Sequence, residues 1–427
     1  MGGPHLGRYI TVMNALNRDQ LLHEGVVAKL LRYVQVDSPS SSEGTGIPST
    51  PEQWDMARLL EAELKELGLT NINVDEHAIV TATLPGNVPG APAIGLLAHF
   101  DTYPGTPGHG VKPMVHKGYA GGEIKLPAGP TLSPATHPAL AQVVGHDIIT
   151  SDGSTLLGAD DKAGVAEVME TVCRLLRDPS IQHGDIKVGF TPDEETGKGV
   201  ALFDVKSFGA TAAYTFDGSV LGEVENENFN AKNLKITITG RNSHTGTAKG
   251  AMINAVQMAA EFVSNIPATM RPETTVGYEG FIHADSISGG AEQVVVKVLL
   301  RDFTDDGMAQ KQAIVDDLLK GIELRYPGAK TQVEVTGGYQ NMKAFIKDPR
   351  VVDLAMQAVR ECGVEPISKP IRGGTDGARL SVMGLPTPNL FTGGVNYHSR
   401  TEWASAQWME KAVEVSLRLV GLWAAVK

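Results

Sequence analysis

Residues 93–101 read Ala-Ile-Gly-Leu-Leu-Ala-His-Phe-Asp, an apolar run that ends in a histidine and an aspartate. Two further apolar runs also end in acidic residues. Residues 186–195 read Ile-Lys-Val-Gly-Phe-Thr-Pro-Asp-Glu-Glu, and residues 212–217 read Ala-Ala-Tyr-Thr-Phe-Asp. Short apolar runs that alternate with helical segments predict buried strands of a mostly parallel sheet. Because sites in such sheets form beyond the carboxyl ends of the strands, we expect these polar side chains to converge.

The remaining pattern predicts an α/β catalytic domain, with helices on both faces of its sheet, that is interrupted by an inserted domain. Helices are expected near 20–34, 161–177, 350–362 and 404–426, and a Gly-rich loop is expected at 372–377. After Glu225 the order becomes β-α-β-β-α-β, which indicates an α+β domain. The predicted divisions are an N-terminal extension or tag (1–20), the catalytic domain (21–225 and 340–427) and the insertion (226–339). The segment 102–145 is rich in Gly, Pro and His, and a connection that long carries function or its own structure.

Composition excludes several classes of protein. The 427 residues suffice for two or three domains, and 37 Lys and Arg against 49 Asp and Glu give a net charge of −12, which argues against a nucleic-acid partner. The two cysteines, Cys173 and Cys362, are too few for a Cys-rich zinc site or a disulfide framework. We find neither a membrane-length apolar run nor a secretory signal, so we expect a cytoplasmic protein without a membrane partner.

Several of the polar residues suit a metal centre. On an extended chain His99 and Asp101 point the same way, so Asp101 can fix the tautomer of His99. Asp160 lies just before a predicted helix, where its carboxylate could bridge two cations. Glu194 and Glu195 leave their strand in different directions, so one can bind a metal while the other takes a proton. Each pattern also has a purely structural interpretation, and paired carboxylates also serve glycosidases.

Other catalytic motifs are missing from the sequence. There is no Gly-x-Ser-x-Gly, no Gly-x-Gly-x-x-Gly after a strand, no Walker motif and no His-Glu-x-x-His. A metal-free carboxylate enzyme and an inactive binding protein remain as alternatives from other classes. The first predicts resistance to chelators, and the second predicts that ligand or base residues are missing.

Six stretches of the chain resemble the peptidase T family of tripeptide aminopeptidases. This family belongs to the co-catalytic di-zinc superfamily that includes carboxypeptidase G and the aminoacylases. The similarity runs from about Leu21 to the C-terminus. The matching stretches are 156–164 (LLGADDKAG), 190–199 (FTPDEETGKG), 227–231 (ENFNA), 244–250 (HTGTAKG), 370–378 (PIRGGTDGA) and 388–394 (PNLFTGG).

The resemblance implies two Zn²⁺ ions per subunit, with Co²⁺ or Mn²⁺ as possible substitutes. Asp160 would bridge the ions, and the peptide bond that follows it would be cis. Asp101 would orient a ligand and Glu194 would be the general base. The implied metal ligands are His99, Asp160, Glu195, Asp217 and His398.

For the inserted domain the resemblance implies a lid that also supports a homodimer. His244 would reach the oxyanion of the reacting peptide and Arg301 would hold a substrate carboxylate. Further implied substrate contacts are Asn341, Arg372, Gly374 and Thr375.

The expected activity is a zinc-dependent exopeptidase of EC 3.4.11 type. It would release the N-terminal residue of a tripeptide with a metal-activated water and a Glu base. The nearest alternatives are a dipeptidase, a carboxypeptidase and an N-acyl-amino-acid deacylase, which share the same ligands.

Overall fold

The computed structural model describes residues 16–426. Its helices are α1 (Arg18–His23), α2 (Val26–Tyr33), α3 (Gln53–Leu67), α4 (Ala159–Arg177), α5 (Val205–Phe208), α6 (Ala255–Ser264), α7 (Asp305–Arg325), α8 (Arg350–Glu361), α9 (Asp376–Val382) and α10 (Ala406–Ala424). Its strands are β1 (Thr70–Val74), β2 (Val80–Leu84), β3 (Ile94–His99), β4 (Met114–His116), β5 (Ile124–Lys125), β6 (Thr131–Leu132), β7 (Ile148–Thr150), β8 (Ile186–Thr191), β9 (Ala212–Gly218), β10 (Val224–Glu225), β11 (Asn230–Thr239), β12 (Phe281–Gly289), β13 (Gln293–Asp302), β14 (Lys330–Tyr339), β15 (Asn389–Phe391), β16 (Gly394–Val395) and β17 (Trp403–Ser405).

The described residues form two compact units. The first unit comprises the residues up to Asn226, Phe345–Lys369 and the residues from Thr375 onward. The second unit comprises Glu227–Ala344 together with Pro370–Gly374.

A seven-stranded sheet organises the first unit, in the order β1-β2-β8-β3-β9-β15-β10. Its central strands β8, β3, β9 and β15 are parallel, while β2 and β10 join them antiparallel. The three apolar runs of the sequence are therefore neighbours, as predicted. In the register His99 is paired with Thr191, so the polar residues that follow β3 and β8 leave the same edge of the sheet.

Helices cover both faces of this sheet, which explains why its strands are apolar throughout. Along β3, Leu96 belongs to a core with helices α2, α3, α4 and α10, and the next residue, Leu97, belongs to a core on the opposite face. The second core includes Phe208 of α5 and Leu380 of α9. The predicted α/β class is confirmed.

Two expected boundaries of secondary-structure elements are wrong in detail. The helix expected at 20–34 is divided by Gly25, so Asn17 caps α1 and Gly25 precedes α2. Of the predicted extension, residues 1–15 lie outside the described part of the chain, and residues 18–20 belong to α1. The stretch predicted as a Gly-rich loop contains the start of α9, whose N-cap is Thr375.

The long segment after β3 has structure of its own, as its length suggested. It contributes β4 to a small sheet of order β16-β17-β7-β4, and it forms the hairpin β5-β6. Its apolar residues pack around Trp403 and Trp408. The segment therefore supports the C-terminal loop between β16 and β17, which carries His398.

The second unit is a four-stranded antiparallel sheet, in the order β12-β13-β11-β14, with helices α6 and α7. Alternate residues of β13, from Val294 to Leu300, are buried. They pack with Met258 of α6 and Val315 of α7. The order along the chain is β-α-β-β-α-β.

Among residues 16–426, every helix is either too short or too polar to cross a lipid bilayer.

Glu167 gives a stability prediction. It is fully buried in α4, and neither carboxylate oxygen has a hydrogen-bond partner among the described residues. Burial, followed by the charge of Asp161, raises the pKa of Glu167 well above its ordinary value. The neutral form therefore fits the folded state, and the stability that it contributes is lost as pH rises from about 4.5 toward the raised folded pKa.

We expect Glu167→Gln to increase the free energy of unfolding by about 1–3 kcal/mol at about pH 8, and to change it little at about pH 4.5. Urea unfolding of both proteins at the two pH values measures this difference. An equal effect at both pH values would show that ionisation of Glu167 is not the cause.

Candidate metal centre

Two groups of potential metal ligands share one carboxylate at the carboxyl edge of the large sheet. His99, Asp160 and Asp217 form the first group, and Asp160, Glu195 and His398 form the second. In each group the ligand atoms all lie within 4.8 Å of one another. Asp160 thus belongs to both groups, with one oxygen toward each histidine.

The distances between these atoms fit ligands gathered around common cations. His99 Nε2 lies 3.0 Å from Asp160 Oδ1 and 3.6 Å from Asp217 Oδ1. His398 Nε2 lies 3.1 Å from Asp160 Oδ2 and 2.9 Å from Glu195 Oε1. Two ligand atoms at about 2.0–2.2 Å from one ion can be at most about 4.4 Å apart, so every one of these pairs is suitable.

The pKa shifts of the carboxylates in the cluster also favour bound cations. Burial, and then the charge of Asp160, raises the pKa of Glu195 to about 8. Although burial opposes ionisation, the contacts with His398 and His99 lower the pKa of Asp160 below its usual range. Glu195 Oε1 is buried without a well-formed hydrogen bond. Carboxylates and imidazoles in this arrangement are the ligands that zinc takes in proteins.

His99 is held from the side away from the cluster. Its Nδ1 lies 3.1 Å from the Asp101 carbonyl oxygen and 3.3 Å from Asp101 Oδ1. Its backbone N–H donates to Asp161 Oδ2 at 3.1 Å. These contacts direct Nε2 toward Asp160 and Asp217, which is the arrangement that outer partners usually give to metal-binding histidines.

Asp101 also links His99 to the acidic loop after β8. Its Oδ1 accepts the N–H of Glu194 at 2.9 Å, and its Oδ2 accepts the N–H of Glu195 at 3.3 Å. On the other side, Asp193 has a left-handed backbone (φ 54°) and accepts hydrogen bonds from Ser49 and Gln53. The loop that presents both glutamates is therefore fixed at each end.

The Glu194 carboxylate accepts no hydrogen bond from the described residues. Burial, and then the charge of Asp217, raises the pKa of Glu194 well above its ordinary value. A carboxylate whose pKa is raised toward the working pH is suited to take and return a proton.

The segment that carries Asp160 requires glycine on both sides. Gly158 has φ 82°, a left-handed conformation that glycine adopts most readily. At Gly164 a Cβ atom would lie 2.0 Å from the Phe216 carbonyl oxygen and 2.5 Å from Asp161 Oδ1, so only glycine lets α4 approach β9. The Asp160–Asp161 peptide bond is cis, as expected.

His398 lies in a turn with a left-handed backbone (φ 60°). The ring of Tyr103 stacks on its imidazole, with 4.0 Å between centroids and 4° between planes. Thr106 Oγ1 donates to the His398 carbonyl oxygen at 2.7 Å. The loop after β3 therefore fixes both the ring and the backbone of this half-exposed histidine.

This stacking predicts that Tyr103→Ala weakens the affinity for Co²⁺ about 10-fold, because His398 loses the surface that orients its ring. Tyr103→Phe keeps the ring and should bind Co²⁺ as the wild type does. Titration of metal-free protein with Co²⁺, followed by visible absorbance, compares the three. Equal affinity in the alanine variant would show that stacking does not matter.

The residues predicted to touch substrate are spread over both units. Thr375 lies in the first unit, where its Oγ1 is 3.3 Å from Asp217 Oδ2 and 3.1 Å from Asn389 Oδ1. It thus contacts a ligand of the metal group. His244, Arg301, Asn341, Arg372 and Gly374 belong to the second unit.

Two of these residues, Asn341 and Arg372, have protein partners, and their contacts with substrate stay predictions. Asn341 is buried; its Oδ1 accepts the N–H groups of Asn228 and Lys343, and its Nδ2 donates to the Phe303 carbonyl oxygen. The Arg372 guanidinium donates to carbonyl oxygens of the segment 275–279 and lies over the ring of Phe229. Both side chains already have protein partners that a substrate would have to displace.

Sequence reasoning missed three residues that support the site: Tyr103, Asp193 and Glu402. The first two follow strands that the sequence did identify, so their positions were a usable signal. Glu402 lies four residues after His398, and nothing in the sequence indicates that it is almost fully buried, at 1% exposure.

Comparison with known proteins gives a consistent result. The sequence profile of Peptidase family M20/M25/M40 matches residues 153–421. A peptidase T of Geobacillus thermodenitrificans is 46% identical over 405 residues, which cover 94% of this chain and 98% of that one.

Solved structures share the fold. An aminopeptidase of Bacillus cereus has a TM-score of 0.74 at 23% identity, covering 96% of this chain and all of that one (100%). A Bacillus subtilis protein described as a dinuclear metal-binding peptidase of the M20 family has a TM-score of 0.64 at 14% identity, covering 95% of this chain and 98% of that one.

Proposed function

This chain belongs to Peptidase family M20/M25/M40 and is a metal-dependent exopeptidase; we propose that it releases the N-terminal residue from tripeptides with a pair of zinc ions. The observation that supports the proposal most strongly is the pair of ligand groups that share Asp160. The curated relative of similar length is named peptidase T.

We assign the ligands as follows. His99 and Asp217 would hold one ion, Glu195 and His398 would hold the other, and Asp160 would be shared between the two. When bound, the ions would supply Lewis acidity and lower the pKa of a water molecule. Zinc is favoured because the ligands are imidazole and carboxylate without cysteine, although Co²⁺ and Mn²⁺ accept the same ligands.

The protein's own residues supply the proton transfers. Glu194 takes a proton from water and delivers it to the leaving amine, for which its position beside the ligands and its raised pKa are suited. Asp101 fixes both the ring of His99 and the loop of Glu194, so it acts on orientation and not on the substrate itself.

We also propose that the second unit contributes substrate contacts as a lid and supports a homodimer. The His244 side chain is exposed, and its Nδ1 accepts the N–H of Gly246, which leaves Nε2 available for a substrate carbonyl. Arg301 is held by Asn233 and the Leu300 carbonyl oxygen within the same unit. A cytoplasmic location, without nucleic-acid or membrane partners, remains part of the proposal.

One assay separates the proposed activity from its neighbours in the family. Ala-Ala-Ala, N-acetyl-Ala-Ala-Ala and Ala-Ala are incubated separately with the metal-loaded enzyme, and released alanine is quantified. We expect the free tripeptide to be cleaved at least about 100-fold faster than the other two, since about 3 kcal/mol of recognition energy suffices for that ratio. Preference for the dipeptide would instead indicate a dipeptidase. Alanine released from the acetylated peptide would indicate a carboxypeptidase, and acetate released from it would indicate a deacylase.

A further inference from the structure

Glu402 is a buried carboxylate that accepts three backbone hydrogen bonds from the segment carrying Asp160. Its Oε1 accepts the N–H of Asp160 at 2.9 Å. Its Oε2 accepts the N–H groups of Leu157 and Gly158, each at 2.8 Å. These three hydrogen bonds hold the backbone of the segment in place.

The same turn also carries His398. The N–H of Glu402 donates to the Ser399 carbonyl oxygen at 3.2 Å, which closes the turn between the two residues. His398 Nε2 lies 3.1 Å from the side chain of Asp160, while the Glu402 carboxylate holds the backbone of Asp160. One short stretch of chain therefore contacts the shared carboxylate from its side chain and from its backbone.

We propose that Glu402 is a positioning residue: it holds Asp160 in the position in which its carboxylate belongs to both ligand groups. Both of its carboxylate oxygens accept backbone hydrogen bonds. Glu402 acts through the backbone N–H of Asp160. Its replacement should therefore lower the metal affinity more than it lowers the stability of the fold. The inference rests on the proposed metal centre.

Glu402→Gln tests this contact with little change in volume. A glutamine keeps one acceptor oxygen and turns an NH₂ group toward N–H donors, so either the Asp160 bond or the pair from Leu157 and Gly158 is lost. Outer partners of metal ligands usually contribute 10–100-fold to metal affinity. Glu167→Gln is the matched control, because Glu167 is also a buried carboxylate but has no hydrogen-bond partner among the described residues.

Metal-free proteins are titrated with Co²⁺, with visible absorbance as the readout, and kcat and KM are measured for Ala-Ala-Ala. For Glu402→Gln we expect Co²⁺ affinity to fall about 10–100-fold, with an altered absorbance spectrum. We also expect a lower kcat at a similar KM, whereas Glu167→Gln should bind Co²⁺ as the wild type does. Unchanged affinity and spectrum in Glu402→Gln would overturn the inference, even if its thermal stability fell.

A measurement on the wild type keeps the inference testable if the variant does not fold. In metal-free wild-type protein, hydrogen exchange in peptides covering 156–161 should be as slow as in the rest of α4, because Glu402 holds three of their N–H groups. Rapid exchange there would contradict a positioning role. If the wild type itself bound no Co²⁺, the metal centre and the inference that rests on it would both be overturned, whereas unchanged Co²⁺ affinity in Glu402→Gln would overturn the inference alone.

Discussion

Replacing Glu194 by alanine should lower kcat for Ala-Ala-Ala about 10²–10⁴-fold while both metal ions remain bound, because a general base contributes about this much. The loop does not depend on the side chain for its shape. Asp101 holds the backbone N–H groups of Glu194 and Glu195, and Asp193 is anchored by Ser49 and Gln53. Kinetics combined with metal analysis by mass spectrometry measures both quantities on one sample.

Glu76→Ala is a suitable control, since Glu76 is an exposed glutamate of the same unit, with 88% of its side chain accessible. It should change neither kcat nor metal content. Near-normal turnover in Glu194→Ala would assign the proton transfer to another group. Loss of metal from that variant would instead make Glu194 a ligand.

The second large effect is expected at Asp160. Because its two oxygens serve the two ligand groups, Asp160→Asn removes a charge from both at once. We expect metal content to fall from two ions per chain to fewer than one and peptidase activity to fall to background. Metal analysis after dialysis, together with the tripeptide assay, measures the result.

Asp178→Asn provides the comparison, because Asp178 is the C-cap of the same helix, α4, at the end remote from Asp160. Its metal content and activity should equal those of the wild type. If Asp160→Asn kept two ions with unchanged affinity, the two groups could not depend on a shared carboxylate.

The sequence was sufficient to locate one side of the site. Three apolar runs ending in His99, Glu194–Glu195 and Asp217 predicted neighbouring parallel strands, and the parallel register of β8, β3 and β9 brings those ends together. This worked because continuous apolar runs and strand ends are local features. His398 could be predicted only through the resemblance, since a histidine in a loop has no local pattern that distinguishes it.

The position of Tyr103 after β3 was a usable signal, but the roles of Tyr103 and Glu402 could not be predicted because they depend on long-range contacts. Glu402 accepts hydrogen bonds from residues more than 240 positions earlier in the chain, and Tyr103 stacks on a ring that follows it by nearly 300. The division of the first predicted helix at Gly25 has a more local cause. Glu24 and Gly25 have extended backbones, which end α1 before α2 begins.

The central claim is that two ions held by the Asp160 groups are required for tripeptide cleavage, and a metal titration of the purified protein tests it most directly. Chelated, dialysed protein is reconstituted with increasing Zn²⁺ while bound metal and the rate of Ala-Ala-Ala cleavage are measured together. We predict a loss of activity on chelation, and a recovery that is complete at two ions per chain. Full activity in protein that holds less than a tenth of an ion per chain, about twenty times below that ratio, would contradict the account.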